Sequence, residues 1–154
     1  MTEVPVARAV PNVGLHVSSL GASLEFYRDL IGLTVRIDSG WVEDPSLLAL
    51  TATPGGCIRI VNLATQADRG ATITLVQVDG VRRRPQPRAE FHDPGTMHLA
   101  FEVDDLDAAL ARLSAAGVAA VAAPGEVSGG GAGHARVVFL RDPDGFFVDL
   151  VSKR

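Results

Sequence analysis

The chain has 154 residues, 47% of them apolar and 21% charged, enough for one globular domain or two half-domains that share a core. A net charge of −4 with no basic face argues against a nucleic-acid partner. Cys57 is the sole cysteine, which excludes an intrachain disulfide and a cysteine-based zinc cluster and fits a reducing compartment.

Residues 1 to 9 read as a leader without strong pattern, and no signal peptide is evident there. Asn12 to Val17 reads as a strand with Val13, Leu15 and Val17 on one face and Asn12, Gly14 and His16 on the other. Ser18 and Ser19 offer a cap to a helix carrying Leu20, Leu24, Phe26, Tyr27, Leu30 and Ile31, which stops at Gly32. Leu33 to Ser39 follows as a strand. Asp44-Pro45 opens a short helix over Ser46 to Ala52, closed by Pro54-Gly55-Gly56. Cys57 to Leu63 and Thr72 to Val78 are two more strands, with Gln66 to Gly70 as the polar turn between them. Residues 80 to 95 read as a connector, where prolines and arginines replace any apolar period. Its run Arg82-Arg83-Arg84, beside Pro85 and Pro87, reads as a solvated linker.

From Thr96 the order repeats. The expected elements are a strand at 97–103, a helix at 105–116 capped by Asp104 or Asp105, and a strand at 118–122. A Gly-rich loop, a strand at 135–140, the turn Asp142-Pro143-Asp144-Gly145 and a strand at 146–151 complete it. Val17-Ser18-Ser19-Leu20 falls on Val103-Asp104-Asp105-Leu106, and Ile73-Thr74-Leu75-Val76 falls on Val148-Asp149-Leu150-Val151. The expectation is an α+β fold of two βαβββ modules, 10–79 and 96–152, joined by the connector 80–95. Paired edge to edge, they would form a curved sheet with a central cup and helices on the outer face. No apolar run is long enough for a membrane helix, so a cytoplasmic protein without a membrane partner is expected.

On the second module's first strand, Leu99, Phe101 and Val103 form an apolar face, while His98, Ala100 and Glu102 form the other. A strand gains nothing by burying a histidine and a carboxylate unless they meet a ligand or each other. Asp149 and His16 share this inward parity. Arg59, mid-strand among apolar residues, reads either as a contact for an anionic substrate group or as half of an ion pair at the sheet edge. Trp41 and Phe147 are candidates for an apolar wall. His134 is a candidate for a mobile rim after Gly129-Gly130-Gly131, and His92 for an exposed connector position. A core histidine satisfied by a backbone carbonyl is the alternative reading for His16, and a buried hydrogen-bonded pair for His98 with Asp149.

The pattern resembles the vicinal oxygen chelate superfamily of glyoxalase I, extradiol dioxygenases, methylmalonyl-CoA epimerase and the fosfomycin and bleomycin resistance proteins. The residues that carry the resemblance are Val13-Gly14-Leu15-His16-Val17-Ser18-Ser19-Leu20 with Phe26-Tyr27-Arg28-Asp29, His98 to Leu106, and Asp142-Pro143-Asp144-Gly145 with Val148-Asp149-Leu150. It implies metal-ligand positions at Asn12, Thr74, His98 and Asp149. A divalent metal is served by imidazole and carboxylate, and poorly by a neutral amide or hydroxyl, so only His98 and Asp149 remain of an incomplete site. His16 lies four residues, ~13 Å of extended strand, from Asn12 and does not replace it. A shifted set using His16 and Glu102 is the variant.

The resemblance then implies an enzyme acting on a small oxygenated organic molecule in the cup. The chemistry would be metal-assisted or His98/Asp149 acid–base, with Asn12 and Thr74 as hydrogen-bond donors to an oxyanion. Arg59, Trp41, His16, Glu102 and Phe147 complete the expected substrate contacts. Glutathione-dependent glyoxalase I chemistry is disfavoured by the loss of both first-module ligands, and epimerisation by Thr74. The alternative is a metal-free protein that binds an antibiotic-like small molecule, and a third reading is a structural module with a vestigial cup. No nucleotide cofactor is implied, and a homodimer is expected by resemblance.

Overall fold

The computed structural model describes residues 7, 9–67, 70–84, 88–128 and 133–153. The expectations for most of the leader, for part of the 66–70 turn, for Pro85 and Pro87 and for Gly129 to Gly131 lie outside the described residues. The chain divides after Arg84 into two compact units, each built on a four-stranded sheet.

The first unit contains β1 (Asn12–His16), α1 (Leu20–Leu24), β2 (Thr34–Asp38), α2 (Pro45–Leu50), β3 (Cys57–Ala64) and β4 (Thr72–Asp79), with strand order β1-β4-β3-β2. β1 runs parallel to β4 and the other pairs are antiparallel. Ser19 caps α1, its side chain accepting from the Ala22 N–H at 3.3 Å. The expected single helix then changes pitch: Glu25–Leu30 is a π-helical segment, with the Ile31 N–H reaching back five residues to the Phe26 carbonyl at 2.9 Å. Phe26 and Tyr27, their rings edge to face, are buried there. α1 sits on the face that carries Leu15, Leu63 and Leu75, all buried, and Gln77 on that face accepts from the Leu20 N–H at 2.7 Å. Asp44 caps α2 ahead of Pro45, which suits the first helical position because it has no N–H to leave unpaired.

The second unit contains β5 (His98–Glu102), α3 (Leu106–Ala115), β6 (Gly125–Ser128), β7 (His134–Arg141) and β8 (Phe147–Lys153), in the order β5-β8-β7-β6. The topology is that of the first unit, with β5 parallel to β8 where β1 is parallel to β4. Asp105 caps α3, accepting from the Ala108 N–H at 2.9 Å. Leu106 and Leu113 of α3 are buried with Val138, Leu140, Val148 and Leu150 of the sheet. The registers also bear out the proposed repeat: Gly14 pairs with Thr74, and Ala100 pairs with Asp149.

One expected strand is misplaced. Residues 118–122 make only an isolated bridge, Ala120 to Leu140, and the strand lies instead at Gly125–Ser128, within the stretch read as loop. The Val118 N–H is drawn back to the Leu113 carbonyl at 2.9 Å in the helix C-terminal turn, and Pro124 has no N–H to give to a ladder, so regular pairing starts only beyond it. No helix among the described residues is long and apolar enough to cross a membrane.

Candidate functional site

Parity and register decide what the second sheet presents on the side away from α3. Across one row stand His98, Phe147 and Arg141; across the next stand Ala100, Asp149 and Phe139. The His98 ring lies near Asp149, with Nε2 3.8 Å from Oδ1. That is too long for a hydrogen bond and close enough for an ion pair once the imidazole is protonated.

Asp149 is the unusual member. Its side chain is only 7% exposed, whereas that of His98 is 47% exposed, and its Oδ1 is buried without a hydrogen-bond partner. Burial pushes the carboxyl above the ordinary carboxylate range; the neighbouring His98, and then Asp149's own backbone, pull the other way. A buried carboxylate oxygen without a hydrogen-bond partner is destabilising, and such groups concentrate where chemistry or binding needs them.

Phenylalanines surround the pair. Phe91 places its ring centroid 5.0 Å from that of Phe139, 5.3 Å from that of Phe147 and 5.8 Å from that of His98. His98 in turn stands edge to face with Phe139 at 5.9 Å. Phe147 is buried, with the Arg141 guanidinium 3.9 Å from its ring centroid. Arg141 donates to the Gly145 carbonyl at 2.9 Å and, at the longer distance of 3.4 Å, to Glu90. The turn that offers this carbonyl is fastened by Asp142, whose Oδ1 accepts from the N–H groups of Asp144 and Phe146, and Gly145 there has φ +92°, a conformation suited to glycine.

The structure therefore brings together His98, Asp149 and Phe147 of the expected residues. Glu102 lies further along β5, exposed, paired with Lys153 at 2.6 Å. In the first unit the equivalents of His98 and Asp149 are Asn12 and Thr74, and their surroundings are neutral. Asn62 donates to the hydroxyls of Thr72 and Thr74 at 2.9 and 3.0 Å, and Thr72 donates to the Pro11 carbonyl. His16 and Trp41 are exposed. Arg59 lies on the α1 side of its sheet and makes a two-pronged ion pair with Asp38 of the edge strand β2, at 2.9 and 2.5 Å. This matches the ion-pair reading, and together with the Gly40 N–H it holds the Asp38 carboxyl down at about 2. His134 hydrogen-bonds Ser128 at 3.0 Å.

A divalent metal is a poor fit to these donors. Catalytic sites for such ions use three protein ligands of imidazole or carboxylate type. Among the described residues no three of His, Cys, Asp and Glu converge, and His98 with Asp149 supplies two. The remaining two expected positions are an amide and a hydroxyl, and the hydroxyl of Thr74 is already engaged by Asn62.

Phe91, Phe139, Arg141 and Glu90 belong to this face and were not among the expected residues. Phe139 and Arg141 were within reach, since alternation along Val137, Phe139 and Arg141 puts them on the parity of Asp149. Glu90 and Phe91 carried no such signal beyond a lone large apolar residue in a polar connector.

A family model for the Glyoxalase/Bleomycin resistance protein/Dioxygenase superfamily matches residues 9–150 of the chain. A protein named probable lactoylglutathione lyase from Vibrio cholerae is 27% identical over 140 residues, which cover 91% of this chain and 87% of that one. Among solved structures, a glyoxalase family protein from Bacillus cereus superposes with a TM-score of 0.81 at 22% identity, covering 99% of this chain and 97% of the other. An antibiotic binding protein from Streptomyces sp. CB03234 superposes with a TM-score of 0.60 at 24% identity, covering 98% of this chain and 100% of the other. At these identities the superpositions speak for the fold alone.

Proposed function

The chain belongs to the Glyoxalase/Bleomycin resistance protein/Dioxygenase superfamily, and on that footing we propose that it is an enzyme that moves a proton on a small oxygenated organic molecule. His98 and Asp149 act as the acid–base pair. The observation that carries this reading is the buried Asp149 Oδ1, which has no hydrogen-bond partner and faces an accessible imidazole 3.8 Å away.

The chemistry follows from the positions. A substrate lying on the phenylalanine face excludes water, and neutral His98 takes a proton from the carbon next to a carbonyl. The electron pair of that C–H bond moves to the carbonyl oxygen as an enolate. The imidazolium so formed faces the Asp149 carboxylate, whose Oδ1 had no hydrogen-bond partner beforehand, so the pair is better matched after proton transfer than before it. Return of the proton to a neighbouring atom completes an isomerisation. No step is routed through a metal, because the donor set does not suit one.

The test is proton exchange. Protein in deuterium oxide is incubated with a panel of 2-oxo acids and aryl ketones, and deuterium at the α-carbon is followed by NMR. The expected result is exchange by the wild type, lost in His98→Asn and much reduced in Asp149→Asn. A second reading, a protein that binds an antibiotic-like molecule without turning it over, is favoured by the cluster of Phe91, Phe139 and Phe147. Saturable thermal stabilisation by a ligand, with no exchange on any compound, would select it. A cytoplasmic homodimer completes the proposal; β2 is an edge strand with exposed Ile37, and light scattering of the purified protein reads the oligomeric state.

A further inference from the structure

The segment that carries Phe91 has an order of its own. The Glu90 N–H donates to the Asp93 carboxylate at 2.7 Å, the Glu90 carbonyl accepts from the Asp93 N–H and the Thr96 hydroxyl, and the Thr96 N–H donates to the Asp93 carbonyl. This tight turn presents two groups to the sheet. The Phe91 ring rests on Phe139, Phe147 and His98, and the Glu90 carboxylate reaches Arg141. Neither group is deeply held. Phe91 remains 53% exposed, and Glu90 is 63% exposed with its oxygen 3.4 Å from the guanidinium. Arg141, by contrast, is only 10% exposed, pinned to the Gly145 carbonyl and stacked on Phe147.

A buried, oriented guanidinium whose only acidic contact among the described residues is long and solvent-facing is better suited to a carboxylate from outside than to the one it has. We infer that Glu90 and Phe91 occupy the places of the ligand's own groups, and that the ligand is a monocarboxylate with an aromatic or flat apolar body. On binding, its carboxylate replaces Glu90 at Arg141 and its body replaces Phe91 against Phe139 and Phe147. Arg141 and His98 flank Phe147 on the two neighbouring strands, so their backbones stand about 9–10 Å apart at the usual strand spacing. A carboxylate fixed at Arg141 thus leaves the far part of a small molecule at His98 and Asp149. The inference rests on reading this face as the ligand site, and it adds the substrate class.

Titration calorimetry with 3-phenylpropionate and its uncharged analogue 3-phenylpropanamide tests it. The wild type is expected to prefer the acid. Glu90→Gln, which removes the competing carboxylate from an exposed position, is expected to bind the acid about tenfold more tightly, as release of one charged contact implies, and the amide no differently. Phe91→Ala is expected to tighten both, and Arg141→Met to bring the acid down to the amide. Equal affinities for acid and amide in both the wild type and Glu90→Gln would overturn the inference, whether or not Arg141→Met folds. So would an unchanged acid affinity in Glu90→Gln. The two proposals fail separately: Arg141-dependent binding without deuterium exchange on any compound removes only the reaction, and exchange on uncharged ketones without acid preference removes only the carboxylate class.

Discussion

Replacing Asp149 by Asn should make the protein more stable at alkaline pH and leave it unchanged in acid. The carboxyl is nearly isosteric with the amide, so the substitution removes charge and little else. Because burial holds the Asp149 pKa above its unfolded value, the native state binds the proton more tightly than the unfolded chain does. Its destabilising effect is therefore absent below the ordinary carboxylate range and grows as pH rises through the raised native value. The attraction of His98 across 3.8 Å offsets part of that effect. Leaving a buried polar group without a partner costs roughly 1–3 kcal/mol, and more for a charged one, while the amide of Asn keeps part of that cost. The net gain at pH 8 is thus about 1 kcal/mol, or roughly 2–4 °C in Tm for a chain of this size. Urea unfolding of both proteins at pH 8 and near pH 3.5 measures it. A variant that is less stable at pH 8, or one whose difference from wild type does not change with pH, would refute an uncompensated native carboxylate at this position.

The other predictions concern the frame around the site. Arg59→Ala should cost less than about 1 kcal/mol, since the pair with Asp38 is solvent-facing, and should raise the Asp38 carboxyl from about 2 toward the ordinary range in a carbon-detected NMR titration, the Gly40 N–H still holding it partly down. That small stabilisation is present above the ordinary carboxylate range and fades as pH falls toward 2, because the native pKa is the lower one. Asp105→Ala should lose about 1 kcal/mol of unfolding free energy with the cap on α3, read from denaturant midpoints at an unchanged slope. Gly56→Ala should be the most damaging of these, by about 2 kcal/mol or more: a Cβ there would meet the Asp79 carbonyl oxygen, and the φ of +90° suits only glycine.

How much of this was legible in the chain follows from how far each feature reaches. Caps, strand parity and the repeat are local: they pointed to Ser18 or Ser19, to Asp44 and to Asp104 or Asp105 at helix starts, where Ser19, Asp44 and Asp105 make the caps, and they put His98 with Asp149 on one face. The second strand of the second module was misplaced because Val118 to Val121 has apolar content but no free choice of partner, with the helix turn on one side and Pro124 on the other. Arg59 could be read two ways because the bulge in β2 between Val35 and Ile37, which helps to set where Asp38 lies on the edge strand, leaves no mark in the sequence of β3. Glu90 and Phe91 were invisible for a stronger reason. Their meaning lies in where an aperiodic turn lands on a sheet face, and no periodicity within 88–96 encodes that. Yet the same physics that hid them identifies their role. A connector that needed only to join two units would place its carboxylate and ring in water. This one spends a phenylalanine on an aromatic patch and a glutamate on a buried arginine, beside a carboxylate with an unsatisfied oxygen. Each of the three is poorly accounted for by folding alone, and together they are accounted for by a ligand that carries a ring and an acid.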